Sequence, residues 1–178
     1  MDFATKAQNT EFRFTQAEQL LPVAESLFER MKQLTISPQD KVGFHKASMF
    51  LLGIALENAF KGVVASNGGI VVKNNKIKTQ CSFPNCENHN LKDLARLVKL
   101  NLNVTETAFL ERLSVYTIWA GKYGTPLSDK EFEKSKGLMI QHTRDFPLAK
   151  EIIHELKSRT EYDEQSGWPP LNDQSDKH

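Results

Sequence analysis

The feature that most constrains the fold is residues 38–66, a helical pattern that is apolar around most of its circumference. Ser37 can cap its start, Pro38 occupies the first turn, where no backbone donor is needed, and Asp40 stands where a capping box places an acceptor. Asn67 and two glycines end the pattern. A helix this apolar is normally the central helix of a bundle. The sequence therefore predicts an all-α fold built around it.

Apolar residues recur at three- and four-residue spacing in further segments, as is typical of amphipathic helices. The predicted helices cover about 15–34, a short segment after Asn90, about 105–123, a short segment after Ser128 and a last one from Asp145. Residues 70–78 predict a hairpin that turns at two asparagines, inside a small irregular insert at about 68–90. We expect one domain over residues 1–160, followed by a polar C-terminal tail over 161–178.

Charge and composition limit the classes of partner. The 178 residues include 23 basic and 22 acidic side chains, and this balance gives no electrostatic case for a dedicated duplex-DNA binder. The N-terminus lacks a signal-peptide pattern, and Glu57, Asn58 and Lys61 interrupt the longest apolar stretch, 47–64. With only two cysteines, the chain is expected in a reducing cytoplasm, without a membrane association.

Glu57 and Lys61 are one helical turn apart on an otherwise apolar stripe of the central helix. One interpretation is an exposed ion pair worth about 0.3–0.5 kcal/mol. The other is a charged pair in a groove between helices, where poor solvation suits it to anion recognition or proton transfer. The sequence leaves both interpretations open.

A second group of candidates lies on the helix predicted at about 105–123. Arg112, Tyr116, Trp119 and Tyr123 are spaced by four, three and four residues, so they are predicted to share one face, with Lys122 beside them. Aromatic and cationic side chains together suit stacking on bases and contact with phosphates. The alternative is that the tyrosines belong to the core and Arg112 is solvated.

Cys81, Cys86 and His89 lie within nine residues and are the candidate ligands of a zinc site. The fourth ligand is missing locally and would have to come from a distant side chain such as His45 or His142. Zinc patterns usually supply two close pairs, so we expect two free thiols, no zinc and no cofactor. The sequence also contains no GxxxxGK[ST], GxGxxG, HExxH or GxSxG motif.

Three segments follow one another in a recognisable order: ALENAFKG at 55–62, HNLKDL at 89–94 and YTIWAGKYG at 116–124. Together they resemble the HEPN domains, small helical bundles linked to RNA cleavage, nucleotide handling and bacterial defence. The resemblance spans about residues 15–157. It implies an up-and-down bundle of four to five helices, commonly a two-fold dimer with a cleft at its interface.

The chain departs from the active HEPN ribonucleases at one motif. Those enzymes carry an arginine followed four to six residues later by a histidine. Arg112 is followed by no histidine before His142, and Arg144 precedes His154 by too many residues. The resemblance therefore points away from the usual ribonuclease site.

Three functions are consistent with these residues and with the resemblance. The first is a non-catalytic, HEPN-like homodimer that binds a nucleotide or RNA and is linked to bacterial defence or toxin–antitoxin systems. The second is an atypical, metal-independent ribonuclease, in which Glu57 or His89 acts as base and Lys61 or Arg112 steadies the phosphate. The third is a helical module that binds a protein partner. The binding candidates are Glu57, Lys61, His89, Arg112, Tyr116 and Lys122.

Overall fold

The computed structural model of the protein describes residues 2–123, 125–126, 128–137 and 142–169. The described elements are α1 (Phe3–Gln8), α2 (Thr10–Met31), α3 (Pro38–Ser66), β1 (Ile70–Lys73), β2 (Lys76–Thr79), α4 (Leu91–Leu97), α5 (Val104–Val115), a π-helical turn (Tyr116–Ala120), α6 (Asp129–Ser135) and α7 (Asp145–Ser158). The described residues are mostly helical with one small sheet among them, so the predicted all-α class is confirmed. The HEPN-like arrangement of the bundle stays a prediction.

Helix α3 lies at the centre of the protein, as its apolar circumference predicts. Helix α2 packs along it, and α4, α5, the π-helical turn and α7 also contact it. By length and composition α3 is long and apolar enough to cross a membrane, which we did not expect from residues 47–64. However, 67% of its most apolar window is buried inside the protein, as in the core helix of a bundle. Its apolar side chains are therefore used mainly for internal packing.

Local capping signals placed several helix starts correctly. Ser37, Asn90 and Ser128 each accept a backbone hydrogen bond from the residue three positions later, at the starts of α3, α4 and α6. The hairpin is confirmed as well, because β1 and β2 pair antiparallel across Asn74 and Asn75. Both asparagines have positive φ, 53° and 57°, as a tight hairpin turn requires.

The amino end of the chain is more helical than predicted. Asp2 caps α1, and Asn9 caps α2 by accepting a hydrogen bond from Phe12 N. Helix α2 therefore begins at Thr10, several residues before the predicted start near residue 15. Hydrophobic periodicity does not indicate α1 or the first turn of α2, because their apolar side chains form no long stripe. Polar caps fix the starts of both helices.

The helix predicted at about 105–123 is not continuous. It is α-helical to Val115 and then widens into the π-helical turn, in which Gly121 N donates to Tyr116 O at 3.1 Å. After this turn, Gly121 packs closely against Phe50 of α3. A Cβ on Gly121 would lie only 2.4 Å from Phe50 Cδ2. A π-helical turn shifts the positions of all later side chains around the helix axis.

Part of the predicted polar tail contacts the bundle. The ring of Trp168 lies 5.4 Å from that of Phe14 and 5.1 Å from that of Tyr162. Asp163 and Gly167 form a small antiparallel bridge that turns the chain back. Gly124, which follows the helix predicted at about 105–123, and residues 170–178 of the predicted tail lie outside the described residues.

Candidate functional site

Glu57 is the centre of a polar cluster on α3. Its carboxylate accepts a hydrogen bond from Lys61 Nζ at 2.6 Å, and His89 Nδ1 lies 3.0 Å from Oε2 and 3.1 Å from Oε1. The side chain of Glu57 is only 9% exposed and that of Lys61 only 13%. Of the two interpretations that the sequence left open, the structure therefore shows the buried pair.

Arg13 of α2 adds a third basic group, which no sequence pattern indicates. Burial lowers the pKa of its guanidinium, and the negative charge of Glu57 opposes this effect. Its Nη2 donates to Ala7 O at 3.2 Å, whereas its buried Nε has no hydrogen-bond partner among the described residues. The closeness of α2 and α3 here depends on Gly62, where a Cβ would lie 2.6 Å from the ring of Phe14.

His89 is held in place by its backbone as well as by Glu57. Thr117 Oγ1 donates to His89 O at 2.6 Å, and Leu91 N donates to Ser114 Oγ at 2.9 Å. These two bonds fasten residues 89–91 to α5 and the π-helical turn. The imidazole itself stays 53% exposed, so a ligand can reach it from solvent.

The π-helical turn approaches α3 at a glycine. A Cβ on Gly53 would lie 2.6 Å from Thr117 Cγ2, a separation that real Cβ atoms do not adopt. Gly53 precedes Glu57 by one helical turn, so this close approach brings the Thr117 hydroxyl beside the loop that carries His89. Thr117 and Gly53 thus act as positioning residues for the cluster.

Tyr116 does not join the Glu57 cluster. It is fully buried, and its Oη is hydrogen-bonded to His45 Nε2 at 2.8 Å. Burial raises the pKa of the Tyr116 phenol to about 12, so the phenol stays protonated into the alkaline range. The structure therefore places Tyr116 in the core, and His45 beside it rather than in a zinc site.

Arg112 joins two helices. Its Nη2 donates to Asp145 Oδ1 at 2.6 Å, and Asp145 Oδ2 accepts from His142 N at 2.9 Å. The exposed fractions of the Arg112 and Asp145 side chains are 12% and 2%, so the alternative in which Arg112 is solvated is wrong. This buried pair fixes the start of α7 against α5, and neither partner contacts the Glu57 cluster.

The predicted aromatic and cationic face is also divided. Tyr116 and Trp119 are buried, whereas Lys122 and Tyr123 are exposed beyond the π-helical turn. The regular spacing assumed an uninterrupted α-helix, and the wider turn rotates the later residues away from the earlier ones. A continuous stacking surface over residues 112–123 is therefore wrong.

We expected Cys81 and Cys86 to be free thiols, and this prediction is wrong. The two cysteines form a disulfide. Their Cα atoms lie 6.0 Å apart in one loop, within the range that a disulfide spans. Within the described part of the chain, no group of three or more histidine, cysteine or acidic side chains is arranged to hold a metal. Disulfides persist mainly in oxidising compartments, so this pairing is at odds with the predicted reducing cytoplasm.

Comparisons with known protein families, with curated proteins and with solved structures give no match for this chain. The site must therefore be interpreted from its own geometry. One buried carboxylate, Glu57, is paired with Lys61 and His89, and its charge also acts on Arg13; of these basic groups only the imidazole is widely open to solvent. Two permanent cations and an imidazole around one anion give the cluster an excess of positive charge.

Proposed function

We propose that this protein binds the phosphate groups of RNA or of a nucleotide at the Glu57 cluster, defined as Arg13, Glu57, Lys61 and His89, and that it does so without cleaving the ligand. The observation that carries the proposal is the single buried carboxylate shared by Lys61 Nζ at 2.6 Å and His89 Nδ1 at 3.0 Å. Glu57 holds both donors in place while neutralising only one positive charge.

An anionic ligand would complete the charge balance of the cluster. Electrostatic attraction is stronger at a partly buried site than in water, so the remaining positive charge favours an incoming anion. Phosphate oxygens accept strong, charge-assisted hydrogen bonds from lysine, arginine and histidine. The exposed face of His89 gives such a ligand its point of entry.

The choice of RNA or a nucleotide, rather than another anion, rests on the resemblance to HEPN domains. Glu57, Lys61 and His89 all fall within the segments that carry this resemblance. The proposal accordingly includes a HEPN-like bundle, a homodimer with a cleft at its interface and a role in bacterial defence or a toxin–antitoxin system. Cytoplasmic location belongs to the same proposal, with Cys81 and Cys86, which are paired in the structure, reduced in that compartment.

A matched pair of lysine variants tests phosphate binding. Lys61→Met removes the buried cation, and Lys32→Met removes an exposed lysine that is also paired at 2.6 Å with a glutamate, three residues earlier in the chain. A hydrogen bond to a charged group is worth about 1.5–3 kcal/mol, so Lys61→Met should weaken binding by roughly tenfold or more. Fluorescence anisotropy with labelled single-stranded RNA measures this difference. Equal affinities for the two variants would remove the basis of the proposal.

A second candidate function is metal-independent RNA cleavage, and the arrangement of His89 favours it. A carboxylate against Nδ1 fixes the ring orientation and leaves the other ring nitrogen for proton transfer. RNA incubated with the protein and a chelator should then yield fragments that His89→Asn no longer produces. RNA substrates of varied sequence that stay intact after prolonged incubation would contradict cleavage and would be consistent with binding alone.

A further inference from the structure

The hairpin formed by β1 and β2 carries charge of only one sign. No aspartate or glutamate occurs between Glu57 and Glu87, whereas the same segment holds four lysines. Three of them, Lys73, Lys76 and Lys78, belong to the hairpin strands and are exposed. The chain as a whole has 23 basic and 22 acidic side chains. The hairpin is therefore a local basic surface on a nearly neutral protein.

The three hairpin lysines share one face, which we call the lysine face. Lys73 is the cross-strand partner of Lys76, and Lys78 lies two residues beyond Lys76, so the pleat directs all three side chains to the same side. The half-buried Val71 pairs with Lys78 on this face, whereas the exposed Ile77 belongs to the opposite face. The lysine face thus presents cations without an acid and without a large exposed apolar side chain.

The protein itself does not neutralise these cations. None of the three makes a hydrogen bond or ion pair with a residue that the structure describes. Helix α1 packs against β1 and carries one acid, Asp2, whose carboxylate already caps that helix. Like charges directly opposite each other on paired strands are destabilising, so the pairing of Lys73 with Lys76 is unfavourable in the protein alone. Charges protect a strand edge from aggregation whatever their sign, so edge protection does not account for three cations on one face.

Helix α1 connects the base of the hairpin to the Glu57 cluster. Gln8 Nε2 donates to Ile70 O, in the first residue of β1, at 3.0 Å. The preceding residue, Ala7, accepts a hydrogen bond at its carbonyl oxygen from Arg13 Nη2 of the cluster at 3.2 Å. Two consecutive residues of α1 therefore contact the cluster on one side and the hairpin on the other. A polyanion held at the cluster would lie close to the hairpin.

We infer that the lysine face binds the phosphate backbone of single-stranded RNA, beyond the part of the strand that the Glu57 cluster holds. The inference rests on the proposed function for the choice of RNA among polyanions. Cross-strand Cβ atoms lie about 5 Å apart and residues two apart on a strand about 7 Å, so the lysines can contact different phosphates of one strand. Peripheral membrane anchors combine cations with exposed apolar side chains, which this face lacks.

The salt dependence of RNA binding tests the lysine face. Lys73→Gln/Lys76→Gln/Lys78→Gln, the hairpin variant, removes three charges. Each lysine that contacts a single strand contributes about 0.7 to the slope of log affinity against log salt, so the slope should become shallower by about 2. Fluorescence anisotropy with labelled oligouridine and oligocytidine, over a series of KCl concentrations, measures it. Both sequences should show the same change, because backbone contacts do not read bases, and at low salt the hairpin variant should bind at least tenfold more weakly.

Two controls separate this effect from unfolding and from total charge. Urea unfolding of the hairpin variant should show a stability equal to or above that of the wild type, since the like-charge pair is removed. The α6 variant removes three other exposed lysines, Lys130→Gln/Lys134→Gln/Lys136→Gln. Helix α6 also carries three acids, Asp129, Glu131 and Glu133. Its surface is therefore of mixed charge, and the α6 variant should keep the salt slope of the wild type.

Each outcome bears on a stated claim. A hairpin variant with the salt slope of the wild type would overturn the lysine face, while Lys61→Met would still report on the Glu57 cluster. A shallower slope in the hairpin variant, together with unchanged RNA binding by Lys61→Met, would sustain the lysine face and contradict the cluster. An equally shallow slope in the α6 variant would overturn the assignment to the hairpin. Binding of phosphatidylserine vesicles through the hairpin lysines, with RNA affinity unchanged in the hairpin variant, would assign the face to a lipid surface instead.

Discussion

The buried phenol of Tyr116 makes a prediction about stability at alkaline pH. Its pKa is raised from 10.0 to about 12 because the fully buried ring holds its hydroxyl away from solvent. In the unfolded chain the phenol ionises near its ordinary pKa. Folding therefore favours the protonated form, and the unfolded state loses this proton at lower pH than the native state does.

The sign and size of the effect follow from this difference. Since the native pKa lies above the unfolded one, the contribution to stability is complete below pH 10 and is lost as pH rises toward 12. A shift of two pKa units corresponds to about 3 kcal/mol, or about 1.4 kcal/mol per pH unit within that window. Tyr116→Phe has no proton to lose and should not show this decline.

Urea unfolding of the wild type and Tyr116→Phe, at several values between pH 8 and pH 12, isolates the phenol from other alkaline effects. At pH 8 the wild type should be more stable by about 1 kcal/mol, because the variant loses the hydrogen bond to His45. Above pH 10 the difference should shrink and then reverse. Tyr123→Phe, at an exposed side chain, controls for the loss of one tyrosine hydroxyl. A stability difference that stays constant across this range would refute the core assignment of Tyr116.

Two further substitutions test the framework around the site. Arg112→Met should lower the free energy of unfolding by about 3–5 kcal/mol, because it leaves the buried Asp145 charge uncompensated. The RNA affinity of the folded variant should equal that of the wild type, and weaker RNA binding with normal stability would place Arg112 in the binding site. Gly53→Ala should destabilise the protein by about 1–3 kcal/mol, because the new methyl group would clash with Thr117. Gly43→Ala, where the methyl group has open space, should be neutral or stabilising. Equal unfolding free energies for these two variants would contradict the close approach of the π-helical turn to α3.

The parts of the fold that were predictable have local causes. The bounds of α3 follow from a cap at Ser37 and a stop at Asn67, and the hairpin follows from two asparagines that tolerate positive φ. The pairing of Glu57 with Lys61 is equally local, because residues four apart on a helix are neighbours. Such signals act within a few residues, so a sequence displays them directly.

The missed features depend on contacts between distant segments. Arg13 belongs to the cluster only because α2 packs on α3, and Asp145 meets Arg112 across 33 residues of chain. The π-helical turn has no local signature, since its packing involves Gly121 against Phe50 of another helix. The spacing of apolar residues within one helix gives no information about contacts between distant segments.

The most direct test of the Glu57 cluster is to observe the His89 imidazole while phosphate is added. Two-bond proton–nitrogen NMR correlations report each histidine ring, and His89→Asn identifies the signals of His89. Titration with 5′-phosphorylated single-stranded RNA should shift these signals saturably, while those of His154, whose side chain is 73% exposed, stay in place. Signals of His89 that do not move as RNA binds, or that move only as much as those of His154, would contradict phosphate recognition at this cluster.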